Sequence, residues 1–285
     1  MRRRAAITAL SALLAVQTAA RPSHASPTGQ PGFAGGDSRW ARNDPASTAS
    51  VDHAAWGRLL ARHVKPSLDG INRFSYGAVT AEERQTLEDY VQGLGRIRVS
   101  TLAPPAQLAF WVNLHNALAV RLVLDRYPTT SIRDIGVTTS PPADGPWSEA
   151  LIAVEEQPLS LDEIANGILR PLWHDARVNY VICCATLGSP NLAGTPLEPA
   201  MLDRQLDAAA IAFVNHQRGV SLPGGQLRVS SIYVWHEQDF GPSQRAVIKH
   251  LMAYAAPPLA LQLRGRTAID EHAYDWRLND TTADS

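Results

Sequence analysis

The chain has 285 residues, with 26 Lys and Arg against 27 Asp and Glu and only two cysteines. The formal net charge of −1, with no long run of one sign, gives no sign of the basic face that a nucleic acid or an anionic membrane needs. Two cysteines cannot build a disulfide scaffold, so the fold must stand on an apolar core.

Arg2, Arg3 and Arg4 precede an apolar stretch, residues 5–20, and the small-residue triplet Ser23-His24-Ala25. That order predicts a signal peptide over residues 1–25, cut after Ala25. The apolar stretch is too short and too rich in Ala and Thr for a comfortable span of about 20 strongly apolar residues, and a retained anchor is the competing reading. The arginines also fit a twin-arginine signal, so the export route stays open. Residues 26–50 are rich in Pro, Gly, Ser, Ala and Asp and predict a flexible linker. A single globular domain is expected over 51–285, in the periplasm or secreted, with no membrane span once the leader is removed.

Residues 51–64 carry apolar side chains at helical spacing, and 72–78 look extended. Thr80 with Glu83 three places on is a capping-box pattern, and Gly93 and Gly95 mark the end of that helix. Residues 106–127, AQLAFWVNLHNALAVRLVLDRY, are apolar nearly all round, which predicts a long helix buried on most sides and stopped by Pro128. Asn113, His115 and Asn116 in its middle then need hydrogen-bond partners. Residues 129–156 read as loop, with Pro141-Pro142 and Gly145-Pro146-Trp147. Ser160 and Glu163 repeat the capping box before a further helix. Residues 177–184 form a β-branched and aromatic run that predicts a buried strand. A helix over 199–217, a hairpin over 220–234, a helix over 243–256 ended by Pro257-Pro258 and a closing strand over 269–278 complete the chain. Helices come first and strands later, without regular alternation or repeats. The expected fold is α+β, a single domain with a helix-rich N-terminal half whose long buried helix packs on a small, mostly antiparallel sheet.

Several stretches, read together, resemble one family, the domain of unknown function 547. They are AFWVNLHNAL (109–118), SLDEIANGILRP (160–171), ARVNYVICCATLGSPNL (176–192), FVNHQRGV (213–220), VSSIYVWHEQDFG (229–241) and YDWRLN (274–279), in family order. The resemblance implies a pattern rather than a reaction, and this chain departs from it. Where typical members read I-E-H-x-I-L-R, Ala165 and Asn166 stand for the Glu and the His, with Arg170 retained. Where they read R-[IV]-H-[FY], Arg177 is followed by Val178 and Asn179. Where they read C-x-x-x-x-C-P, Cys184 holds the first place and Ser189 the second, and Cys183 is extra. His115 stands for the tyrosine of N-x-Y-N.

The sharpest chemical candidate is Cys184 as a thiol nucleophile. A nucleophilic cysteine needs a base and a lowered pKa. The two missing family histidines remove the obvious bases, because Asn166 and Asn179 cannot take a proton. His115 and His236 remain as candidate bases, and no Lys or Arg stands within several positions of Cys184. The plainer alternative is an inert cysteine in the core. A vicinal Cys183–Cys184 disulfide would be strained, and on a strand the two side chains would point opposite ways. By the same alternation Asn179 and Cys184, five apart, should face opposite sides, while Asn166 and Asn179 should both lie near the cysteine. No metal is expected: the nine histidines show no zinc-binding spacing, and three of the four family positions that could form such a site are Asn166, Asn179 and Ser189. No cofactor is expected either.

Asn113 and Asn116 share one helix face and most simply tie neighbouring loops to it. Arg170 and Arg177 could each clamp a carboxylate, or form structural ion pairs. Trp235 and Trp276 read as anchors of the late strands, with Asp239 or Asp275 capping a turn. The functional expectation is an exported binding or accessory protein with catalysis lost or altered, for an unknown small-molecule or peptide ligand. The alternative is a cysteine-dependent hydrolase or acyltransferase using Cys184 with His115 or His236.

Overall fold

A computed structural model describes residues 39–135 and 145–282; the expected leader, the linker up to residue 38 and the Pro141-Pro142 part of the loop lie outside the described residues. Helix α1 (Ala54–His63) buries Trp56, Leu59 and Leu60 on one face. Val64 then turns extended, and β1 (Val64–Lys65) pairs antiparallel with β2 (Arg73–Phe74). Helix α2 (Ala81–Gly95) begins with the expected capping box: Thr80 Oγ1 accepts the Glu83 N–H, and Glu83 accepts the Thr80 N–H. Helix α3 (Pro104–Arg126) starts on two prolines, whose missing N–H groups cost nothing in a first turn. It is buried from Ala106 through Val120 without a break, so it has no solvent face for most of its length. Within residues 39–50, the described end of the expected linker, Trp40 packs edge-on to Trp111 of this helix at 5.1 Å, and Arg42 O accepts from Gln107 Nε2 at 2.7 Å.

Beyond residue 145 the chain makes an element that the sequence did not announce. Strands β3 (Ile152–Val154) and β4 (Gln157–Leu159) form a hairpin packed on α2, inside the stretch expected to be loop. Its two turn residues are Glu155 and Glu156, both at positive φ (44° and 66°). Such turns usually carry Asn-Gly, so Glu-Glu gave no signal. Glu155 is held by Ser100, whose N–H and hydroxyl both donate to Oε1 at 2.9 Å.

The second capping box also forms, with Ser160 N–H donating to Glu163 Oε2 at 2.7 Å. It opens onto a π-helical stretch, Glu163–Leu169, which leads into the short α4 (Arg170–Trp173). π-Helical turns are rare and often mark functional positions.

The strand expected over 177–184 is absent. Ala176–Tyr180 is a 3-10 helix, and the chain then runs irregularly through the cysteines. The run is buried as expected, but its backbone is paired with side chains instead of a neighbouring strand. The face-alternation rule for Asn179 and Cys184 therefore does not apply.

Helix α5 (Leu202–Val214) leads to β5 (Val220–Ser221), which pairs antiparallel with β6 (Arg228–Ser230). The second arm of the hairpin is shorter than expected, because α6 (Ile232–Trp235) replaces its end; α7 (Glu237–Phe240) follows. Helix α8 (Gln244–Tyr254) is capped by Ser243, and the two prolines that end it start α9 (Pro257–Leu263). The closing strand reduces to β7 (Glu271–Ala273), parallel to β6, and a bridge between Thr186 and Leu278. The molecule is thus α+β with a helix-rich N-terminal half and small, mostly antiparallel sheets. One core surrounds α3, and a second lies among α5, the β5–β6 hairpin and α8.

Candidate functional site

Helix α3 uses its two asparagines as clamps on irregular backbone. Asn113 Nδ2 donates to Leu197 O at 2.9 Å, and Asn113 Oδ1 accepts the Leu197 N–H at 3.0 Å. One turn on, Asn116 Nδ2 donates to Val181 O at 2.8 Å, and its Oδ1 accepts the Cys183 N–H at 2.9 Å. A side-chain amide can stand in for a strand because it offers one donor and one acceptor, as a peptide does. These bonds satisfy the buried backbone that a ladder would otherwise have to pair.

The clamped segments wall a cavity of about 270 Å³. Trp56 and Leu60 of α1 and Phe213 of α5 give it apolar sides, and Asn113, Asn116 and Arg218 line it as well.

On the other side of the cysteines lies a polar network centred on Arg170. Its Nε and Nη2 donate to Asn179 Oδ1 at 3.1 and 2.9 Å, and Nη1 donates to Asn166 Oδ1 at 2.6 Å. Arg170 also pairs with Asp239 Oδ2 at 3.0 Å, and Asn179 Nδ2 donates to the same oxygen at 2.9 Å. Asn166 Nδ2 reaches Asp162 at 3.2 Å. Asn166 and Asn179 are thus joined through one guanidinium. Asp239, expected as a turn cap, is its counter-ion; Asp275 is the residue that caps a turn, accepting the Arg277 N–H at 3.0 Å.

The charge of Arg170 reaches Cys184, His115 and His236 electrostatically. The sequence placed no cation beside Cys184; the fold supplies one from the start of α4. Even so, burial pushes the Cys184 thiol up to about 12, with Cys183 adding to the rise and Arg170 opposing it too weakly to offset it. Burial likewise lowers His115 to about 4 and His236 to about 3, with Arg170 lowering both further. His115 Nδ1 lies 3.4 Å from Asn116 Oδ1. Among the described residues no hydrogen bond joins Cys184 to a histidine; its backbone N–H donates to Ser189 Oγ at 3.0 Å.

Ser189, at the second family cysteine position, is fully buried in a triangle of hydroxyls. Its Oγ lies 2.9 Å from Thr186 Oγ1 and 2.8 Å from Tyr274 OH, and Thr186 Oγ1 is 2.8 Å from the same phenol. Gly188 lets this turn approach the C-terminal segment: a Cβ there would sit 2.6 Å from Asp275 N. Both cysteines are free thiols, Cys183 buried and Cys184 partly so. Arg177 stands apart from the cysteines in an ion network with Asp175, Asp203 and Asp207, the structural option for that residue. Among the described residues no three His, Cys, Asp or Glu side chains gather as metal ligands. No helix there is long and apolar enough to cross a membrane.

Sequence reasoning missed Arg218. It lies inside the stretch FVNHQRGV, just before a glycine and a strand, and that placement was its only signal.

Residues 99–214 match the model of a family described as "Protein of unknown function, DUF547". No curated protein and no solved structure matches the chain. The matched segment runs from just before α3 to the end of α5, so it contains the asparagine clamps, Arg170 and both cysteines and stops short of Arg218 and His236.

Proposed function

Starting from a chain whose residues 99–214 match the DUF547 family model, we propose that it is a binding or accessory protein whose ligand occupies the cavity between α1, α3 and α5, and that Cys184 does no nucleophilic chemistry. The observation that carries this reading is the state of the thiol. Among the described residues no hydrogen bond joins Cys184 to a histidine, and burial raises the thiol while it lowers the candidate bases His115 and His236, so thiol and base are driven apart in the direction opposite to what thiolate formation needs. A general base works best with a pKa near the operating pH, and both rings sit far below it. The hydrolase or acyltransferase alternative would need this gap closed.

The basic and apolar order of residues 1–25 supports export, so the ligand would be met in the periplasm or outside the cell. The test is alkylation of the native protein by iodoacetamide at pH 7.5, read by intact mass. The expected result is labelling of Cys184 no faster than of a cysteine in unfolded chain. Rapid single-site labelling of Cys184, accompanied by loss of a hydrolytic activity, would restore the thiol enzyme.

A further inference from the structure

We infer that the cavity takes a small organic anion, a carboxylate on an apolar body, and that Arg218 receives the carboxylate. This rests on the cavity being the binding site. Arg218 lines the cavity and forms no ion pair among the described residues, and none of the side chains given to the cavity wall is acidic. Asp69 reaches it electrostatically, but that carboxylate is already bonded to Arg73 through both oxygens. A guanidinium has five N–H donors in a planar fork. Two partners account for part of them: Nη1 donates to Leu187 O at 2.8 Å and Nη2 to Asn191 Oδ1 at 2.6 Å. Nε is buried and bonds to nothing.

Most of the other arginines inside this molecule have a carboxylate. Arg73 has Asp69, Arg121 has Glu88, Arg170 has Asp239 and Arg177 has three aspartates. Arg218 differs: a partly buried cation lines a largely apolar cavity, to which Asn72, Asn191, Thr195 and Gln205 add neutral polar groups, without a bonded counter-ion. Burial costs it charge stability and lowers its pKa to about 10, yet at neutral pH it stays protonated. A ligand carboxylate supplies the missing charge, and in a bidentate pair it uses the planar fork that a lysine lacks.

The rest of the wall sets the body of the ligand. Asn113 and Asn116 spend their carbonyls, and one amide hydrogen each, on backbone. Trp56, Leu60 and Phe213 offer apolar contact, and the Arg218 guanidinium lies 5.5 Å from the Phe213 ring centre. Gly219 lets the chain after Arg218 pass close to the end of α5, because a side chain there would collide with Phe213 O. An apolar cavity of about 150 Å³ accepts a benzene. At about 270 Å³ this one has room for a ring with a short acidic chain, or a medium-chain fatty acid.

The experiment is calorimetric titration of the exported chain with benzoate and hexanoate, each against its neutral amide, and with inorganic phosphate. The expected result is that both carboxylates bind, that the amides bind at least about tenfold more weakly, and that Arg218→Gln brings the carboxylates down to the amide level. Arg218→Lys should keep part of the preference. Ala212→Trp, at the exposed rim, should block acids and amides together. Amides binding as tightly as acids would overturn the anion inference while leaving the cavity as the site. Carboxylate binding indifferent to Ala212→Trp would overturn both. Phosphate binding as well as hexanoate would remove the need for an apolar body and defeat the inference. No binding by any carboxylate would do the same. If Arg218→Gln does not fold, the acid–amide pairs and Ala212→Trp still decide.

Discussion

Asn113 and Leu197 form a closed two-bond ring, side-chain amide to backbone peptide, at 2.9 and 3.0 Å. Both groups are buried, so neither bond has water as a substitute. Asn113→Ala orphans the Leu197 N–H and C=O at once, and each orphan costs about 1–3 kcal/mol. Urea unfolding should show a lower midpoint at unchanged slope. Ionised, Asn113→Asp keeps the acceptor but loses the donor and adds a buried charge; protonated, its O–H restores a donor, so only the protonated form should fall between the wild type and the alanine variant. A loss below about 0.5 kcal/mol for Asn113→Ala, the range of ordinary surface changes, would show that the ring contributes nothing.

The histidines predict an acid-sensitive fold. His53 and His115 are lowered to about 4 and His236 to about 3, each chiefly by burial. Their folded-state values lie below those of the unfolded chain, so as pH falls the unfolded chain takes up protons first. Stability is therefore complete above about pH 6.5 and is lost as pH falls toward 4. One such histidine is worth about 2–3 kcal/mol between pH 6.5 and 4.5. His115→Gln should flatten the stability profile over that interval by one proton's slope. A profile of unchanged slope would mean that His115 titrates alike in both states.

Arg170 and Asp239 should show strong coupling. Their side chains are 14% and 24% exposed, so the pair is only lightly screened. Arg170→Met leaves the Asp239 carboxylate, Asn166 Oδ1 and Asn179 Oδ1 without that donor, and should cost about 3 kcal/mol. Adding Asp239→Leu removes the stranded charge, so the double variant should lose less than the sum of the two single ones. Strict additivity would show that the contact in the structure carries no energy.

The β3–β4 turn offers a stabilising change. Glu156 sits at φ 66°, a conformation that costs a side chain about 1–2 kcal/mol and a glycine little. Glu156→Gly should raise the unfolding temperature, with a net gain of about 0.5 kcal/mol after the added freedom of the unfolded chain is counted. The same change at Glu155 should be harmful, because it removes the acceptor of both Ser100 bonds. Equal effects at the two positions would contradict this account.

Local pattern was enough for much of this molecule. The capping boxes at Thr80 and Ser160 were readable because their donors and acceptors are three residues apart in the chain. Burial of α3 on all sides was readable because apolar residues leave it no polar stripe. The family resemblance that the match over residues 99–214 supports was readable from ordered short motifs. Other features depend on contacts between distant segments, which no local pattern encodes. The run 177–184 looks like a strand by composition, but Asn116, from the opposite side of the core, pairs its backbone and frees it from needing a neighbouring strand. Arg170 lies in the expected helix and gives no sign in the sequence that its charge reaches Cys184. Arg218 stands out only when the absence of an acidic residue on the cavity wall can be seen in three dimensions. The types of Cys184, His115 and His236 suggested catalysis; their burial, a property of the packed chain alone, moved the thiol up and the imidazoles down.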